Sequence, residues 1–217
     1  MKDRVSVVLT SLALLVLPAT AAGFKFSQAD AQDDAQDQQR QARVTGLLQT
    51  PCRSKIKNQK IMVLIGEEHN GRVSTQQAKY SAHFEAINAR LQGLGLRTYT
   101  QAQIKAQVAQ AEIDAYFKND PDAAISASKK LAAQYILRGH ISSQASYNAI
   151  VNVNQVQVRM AFTLTSAAGK TIAQANAQEA SYAGQDTAGM ALTLINEQAE
   201  EVVATLYNAY CTQSGVK

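Results

Sequence analysis

The chain has no tryptophan, three prolines, three histidines and two cysteines in 217 residues, and aromatic residues make up only 6% of it. So few aromatics, not interleaved with basic residues, exclude a stacking platform for nucleic-acid bases. The formal charge of +4 is too mild to argue for a nucleic-acid partner. His69, His83 and His140 show no His-x-x-x-His spacing, and the cysteines form no CxxC, so no metal centre is signalled. GxSxG, GxxxxGKS/T and GxGxxG are absent as well. Gly93 and Gly95 end a helical pattern, whereas a phosphate cradle opens one, so nucleotide binding has no support and no cofactor is implied.

Long apolar runs are also missing. The longest, residues 5–17, is about thirteen residues, short of the roughly twenty that a membrane-spanning helix needs. It follows Lys2, Asp3 and Arg4 and precedes Pro18-Ala19-Thr20-Ala21-Ala22, the pattern of a cleavable export signal over residues 1–22. Cleavage after Ala21 or Ala22 fits equally well. No cysteine follows, so lipidation at this site is not expected, and the expected location is the periplasm. Losing Lys2, Asp3 and Arg4 lowers the formal charge by one unit, to a still milder balance.

Residues 23–50 are dominated by Gln, Asp and Ala, with large apolar residues only at Val44, Leu47 and Leu48 after the first few positions. Such a stretch buries too little to offset the entropy of ordering, and it reads as a flexible or loosely helical tether, with a partner-docking helix as the other form. A globular domain is expected over 51–212 and a short tail over 213–217.

Within the domain, Lys60-Ile-Met-Val-Leu-Ile-Gly66 reads as a strand buried on both faces and ended by glycine. Ser74 and Gln77 form a capping-box start for a helix carrying Tyr80, Phe84, Ile87, Leu91 and Leu94 on one face. A short strand at 96–99 follows. Thr100 with Gln103 then caps a helix to about Phe117, and Asp120-Pro121 opens another. Strands are expected at 135–143, 151–166 and 171–182, and a last helix from Asp186 or Thr187 to Tyr210. The fold class is thus α/β (α+β), a single domain with a mixed sheet of about five strands and helices mainly on one face, in the order β-α-β-α-α-β-β-β-α.

Four sets of residues are candidates for function. Cys52 and Cys211 lie near the two ends of the domain, and in an oxidising compartment such a pair forms a bridge more often than two free thiols. It would close a loop of about 160 residues, worth about 5 kcal/mol in the chain-entropy model. Glu67-Glu68-His69 is the one loop resembling a site, since loops after central strands often hold ligands; solvated loop residues are the alternative reading. Arg53, Lys55, Lys57 and Lys60 form a basic cluster able to touch lipid headgroups or an acidic partner, or simply to be solvated. Gln155, Gln157, Arg159, Thr163, Gln174 and Asn176 belong to an uncharged, hydrogen-bonding side of the last three strands, together with Ser143, Thr165 and Gln178. That side is either a partner surface or merely the solvated back of a sheet.

The strand KIMVLIG, the helix ending LQGLGLRTYT, the passage ASKKLAAQYILRGHISS, the hairpin TLTSAAGKTIAQANAQ and the closing helix EQAEEVVATLYNAYC together resemble bacterial envelope domains of the class of the TolB N-terminal domain, CsgG, LpoB and FlgT. The resemblance covers roughly residues 60–211. It implies a mixed-sheet domain that binds other envelope proteins and catalyses nothing. The expectation is therefore a soluble, non-enzymatic periplasmic adaptor or assembly factor docking on a larger cell-envelope complex. A secreted enzyme or a small-ligand carrier using Glu67 to His69 is the alternative.

Overall fold

The structure, a computed structural model, describes residues 26–69, 72–75 and 81–213. The expected export signal at 1–22 lies outside the described residues, as do positions 214–217 of the expected tail. The chain divides into two compact units, Met1–Asp37 and Gln38–Lys217. In chain order the elements are α1 (Phe26–Leu48), α2 (Arg53–Ile56), β1 (Lys60–His69), β2 (Arg72–Ser74), α3 (Ser81–Gly93), β3 (Arg97–Thr98), α4 (Gln101–Gln107), α5 (Gln110–Phe117), α6 (Pro121–Leu131), β4 (Tyr135–Asn148), β5 (Val153–Ser166), β6 (Thr171–Ala183) and α7 (Thr187–Gln213).

The Gln/Asp/Ala-rich stretch is helical as α1, in keeping with residue types that tolerate helix even without an apolar stripe. Its C-terminal part belongs to the large unit, where Val44 is buried and Arg43 pairs with Glu201 of α7 at 2.9 Å.

Six strands form one mixed sheet in the order β2-β1-β4-β5-β6, with β3 also on β1. β1 is parallel to β3 and β4, and the β4–β5 and β5–β6 pairs are antiparallel. Ile61, Met62, Val63, Leu64 and Ile65 are all buried, so β1 is covered on both faces as its unbroken apolar run requires. On the first face, Val156, Val158, Met160, Phe162 and Leu164 meet α7, whose Ile195, Ala199, Val202 and Leu206 are buried in turn, and α3 packs alongside through Phe84, Ile87 and Leu91. Gly139 sits opposite Phe162 in the β4–β5 ladder, and a Cβ there would fall 2.2 Å from the Phe162 ring. Glycine is therefore required for that ring to lie across β4.

The second face carries α4, α5 and α6, but only over β1 and the start of β4. Phe117 lies against Gly66, where a Cβ would come within 2.5 Å of its ring. Arg138 lies over the Tyr116 ring at 5.1 Å and donates to the Tyr116 carbonyl at 3.0 Å. The Tyr116 hydroxyl shares a hydrogen bond of 3.3 Å with Thr165.

Several local expectations are corrected by this packing. Gly66 does not end β1; it makes room for Phe117, and the strand continues to His69. Glu67-Glu68-His69 is therefore not a loop, since these residues pair with Ser74, Val73 and Arg72 of β2. Ser74 is a strand residue and not a helix cap; Gln77 and Tyr80 lie outside the described residues. The helix expected from Thr100 to Phe117 is two helices, because after the Thr100–Gln103 capping box the chain is extended at Val108 and Ala109, and Glu112 then caps Ala109 N–H at 3.1 Å. Thr165 lies on the same face as Gln155 and Thr163, as its alternation predicts, but it is buried there because Tyr116 of α5 covers the end of β5. Ser143 pairs with Val158 and so shares the first, helix-covered face.

Candidate interaction surface

Because α4–α6 cover only part of the second face, the rest of it is bare among the described residues. Gln155, Gln157, Arg159 and Thr163 alternate along β5, and Thr163 stands opposite Gln174, Ala161 opposite Asn176 and Arg159 opposite Gln178. The six residues singled out for a partner surface thus lie on one face of two adjacent strands. The β4 residues Ser142, Gln144 and Ser146 pair with Arg159, Gln157 and Gln155 and extend the same face to a third strand. Arg159, Gln174, Asn176 and Gln178 are exposed, and Gln155, Gln157 and Thr163 are half-buried by their neighbours. The Arg159 Nε donates to Gln178 Oε1 at 3.3 Å, so the cation of these rows is engaged within them.

This face runs toward an apolar rim. The β4–β5 hairpin exposes Tyr147 (61%), Ile150 (94%) and Val151 (51%), and Tyr182 of β6, opposite Gln155, is 57% exposed. Asn148 Oδ1 accepts from Ile150 N–H at 3.0 Å, and Asn152 takes a positive φ of 57°, which fixes the turn. From His140 to Val158 the sequence holds no Asp, Glu, Lys or Arg. The rim was not singled out from sequence; Ile150-Val151 between asparagines was its only signal.

The Glu67-to-His69 segment does not assemble a site. Neighbouring strand residues point to opposite faces, and the two glutamates do so here. Glu67 pairs with Nδ1 of His83 from α3 on the first face, while Glu68 approaches His140 on the second, at 4.0 Å. His83 is thus a hydrogen-bond partner that links helix to strand. No group of three metal-ligating side chains occurs among the described residues.

Between α3, α7 and the first face lies an apolar cavity of about 40 Å³, lined by Ile56, Leu91, Leu137, Leu164, Leu206 and Tyr210, among others. Its Tyr135 and Tyr210 hydroxyls bond to each other at 2.8 Å, and burial followed by that bond raises the Tyr135 phenol well above its ordinary range. Ligand pockets are typically about 300–1,000 Å³, so this void is a packing feature of the core. It is also far from Glu67, at the other end of β1.

Cys52 and Cys211 form a disulfide with Cα atoms 5.7 Å apart, joining the residue before α2 to the last turns of α7. Beside it the Thr50 hydroxyl donates to Asn208 Oδ1 at 2.7 Å, and the Tyr207 hydroxyl donates to the Thr50 carbonyl. Arg53, Lys55 and Lys57 are exposed around α2, and Lys60 opens β1.

No protein-family description matches the chain, and no curated protein matches it either. Among solved structures it is similar to the hypothetical protein CT253 of Chlamydia trachomatis, at 12% identity and a TM-score of 0.49 over 71% of this chain and 99% of that one. It is similar to lipoprotein GNA1162 of Neisseria meningitidis, at 13% identity and a TM-score of 0.41 over 64% of this chain and 96% of that one. It is also similar to the C-terminal domain of LpoB from Salmonella enterica, at 17% identity and a TM-score of 0.37 over 64% and 93%. LpoB belongs to the class expected from sequence; a specific likeness to TolB, CsgG or FlgT is not shown. With TM-scores under 0.5, none of these neighbours carries a role over to this chain.

Proposed function

We propose that the protein is a non-enzymatic adaptor or assembly factor of the cell envelope, and that it holds its partner on the bare second face of β4, β5 and β6. The observation that carries this reading is the continuity of the uncharged polar face with an exposed Tyr/Ile/Val rim. Protein-binding surfaces combine a few large anchors with a polar surround, and here Ile150 and Val151 of the hairpin turn and Tyr182, on the face of Gln155, are the anchors and the Gln/Asn/Thr rows the surround. A sheet back serving only solubility needs no exposed isoleucine at its tip. The divergence of Glu67 and Glu68 to opposite faces supports the same reading against an enzyme at that segment. The export signal and the bridged cysteines support a periplasmic site of action.

The test is affinity capture from crosslinked envelopes of the source cell, with the wild-type chain and with a Gln157→Lys/Asn176→Lys variant. The wild type is expected to retain a stable partner that the variant loses while unfolding at the same temperature. Equal recovery by both, or no stable partner for either, contradicts the proposal. A Glu68→Ala/His69→Ala variant separates the enzymatic alternative, because full retention of the cellular phenotype leaves that alternative without a site.

A further inference from the structure

The two ends of the sheet differ in chemistry. All large apolar side chains exposed among the described residues, namely Val73, Tyr147, Ile150, Val151 and Tyr182, belong to the end where β1, β4 and β6 finish. The end where β1, β3 and β4 begin has none. It carries Arg53 and Lys55 on α2, Lys57 just after it, and Lys60 at the start of β1.

The fold adds a fifth cation that the sequence cluster lacks. Parallel pairing sets Arg97 of β3 beside Lys60. Asn58 N–H donates to the Gly95 carbonyl at 2.8 Å, and Arg97 N–H to the Gln59 carbonyl at 2.8 Å, so the chain carrying Lys57 is stitched to the chain carrying Arg97. The Arg97 Nε also donates to Asn58 Oδ1 at 3.2 Å. No Asp or Glu occurs in residues 49–66 or 86–111. Ion pairs among the described residues join other groups, such as Arg43 with Glu201 and Lys130 with Glu112. Among the described residues, none of these five cations is in an ion pair.

We propose that this end docks on the anionic phosphate headgroups of a bilayer surface. A folded protein partner would call for aromatic or apolar anchors in the centre of the contact, and this end exposes no large apolar side chain. Separate, mobile headgroups call only for cations on long stems, each adding independently and each screened by salt. With no helix among the described residues long and apolar enough to cross a membrane, the contact is peripheral and reversible. The inference stands apart from the adaptor reading, but its geometry fits it. β4 and β5 lead away from the basic end for roughly 45 Å at the usual rise per residue, so the apolar rim would face away from the membrane.

The experiment is co-sedimentation of the full chain with phosphatidylcholine vesicles, with and without added phosphatidylglycerol, at low and high salt. Binding to phosphatidylcholine sets the baseline, and the part of the phosphatidylglycerol increment that the variants below lose measures the basic end. A sizeable increment that disappears in high salt is expected. Arg97→Gln should reduce it roughly fivefold, and Lys55→Gln/Lys57→Gln/Arg97→Gln roughly a hundredfold, if each cation contributes the usual amount near an anionic surface. These side chains are exposed, and an unchanged melting temperature confirms that the variants fold. No increment, or one that the triple variant leaves unchanged, overturns the proposal. So does full competition by glycerol phosphate at millimolar concentration, which would mean a discrete phosphate site. Tight capture of polyglutamate without vesicle binding would assign the patch to an acidic protein instead.

Discussion

The second face of the sheet is covered over β1 and the start of β4 and bare over β5 and β6, and the residue types change where the cover stops. Under α4–α6 the face is Met62, Leu64 and Ile136, all buried, with Thr165 bonded to Tyr116. Beyond them it is Gln155, Gln157, Arg159, Gln174 and Asn176. One face of one sheet thus presents two surfaces, and β5 contributes to both, with Thr165 at its covered end and Gln155 at its bare one. Coverage, not strand identity, decides which positions are apolar, and the uncovered half is where a partner has room.

The largest expected effects fall on what anchors the covered half. Removing the disulfide by Cys52→Ala/Cys211→Ala should cost about 2–5 kcal/mol, read from denaturant midpoints, because it ties the lead-in to β1 to the end of α7. Leu64→Ala, at a fully buried position under the helices, should cost about 2–5 kcal/mol in the same measurement.

A smaller effect is expected where the cover is held together. Glu112 accepts from Lys130 at 2.6 Å and from Ser126 at 2.8 Å, which ties α5 to α6, and it also caps Ala109. The hydrogen bond from Lys130, then that from Ser126, holds the Glu112 carboxyl below its ordinary value of 4.5. A lowered folded-state value makes its contribution fully present above the ordinary value and lost as pH falls through the lowered one. Glu112→Gln should therefore destabilise by about 1 kcal/mol or less at neutral pH, since the pair is partly solvated, and match the wild type in acid. Thermal melts across pH 2–7 check this.

The smallest effect sharpens the contrast most. Gln157→Ala and Asn176→Ala should change stability by less than about 0.5 kcal/mol, although they lie on the same face as Leu64. A cost near that of Leu64→Ala would mean that the bare half is covered after all and would remove the basis of the contrast.

Much of this contrast was legible in the sequence. The unbroken KIMVLIG run marked the strand with two covered faces, and the alternation from Gln155 to Leu164 marked one with a single covered face. The Thr100–Gln103 box and Asp120-Pro121 gave helix starts that the structure places where expected. Less legible were features that depend on a distant partner. Gly66 looks like a strand end because a glycine that accommodates Phe117 and a glycine that ends a strand are the same letter. Thr165 reads as solvated because the helix residue that covers it, Tyr116, is distant in sequence. His83 and Arg97 gain their neighbours, Glu67 and Lys60, only through packing and parallel pairing, and no spacing in the chain announces either.

The account depends most on the bare face being occupied in the cell. Site-specific photo-crosslinking tests this, with a photoreactive residue in place of Gln157 or, as a control on an exposed helical position elsewhere, in place of Lys105. The account predicts one discrete adduct from position 157 in intact cells and none from position 105. Adducts from both positions alike, or from neither, would contradict it.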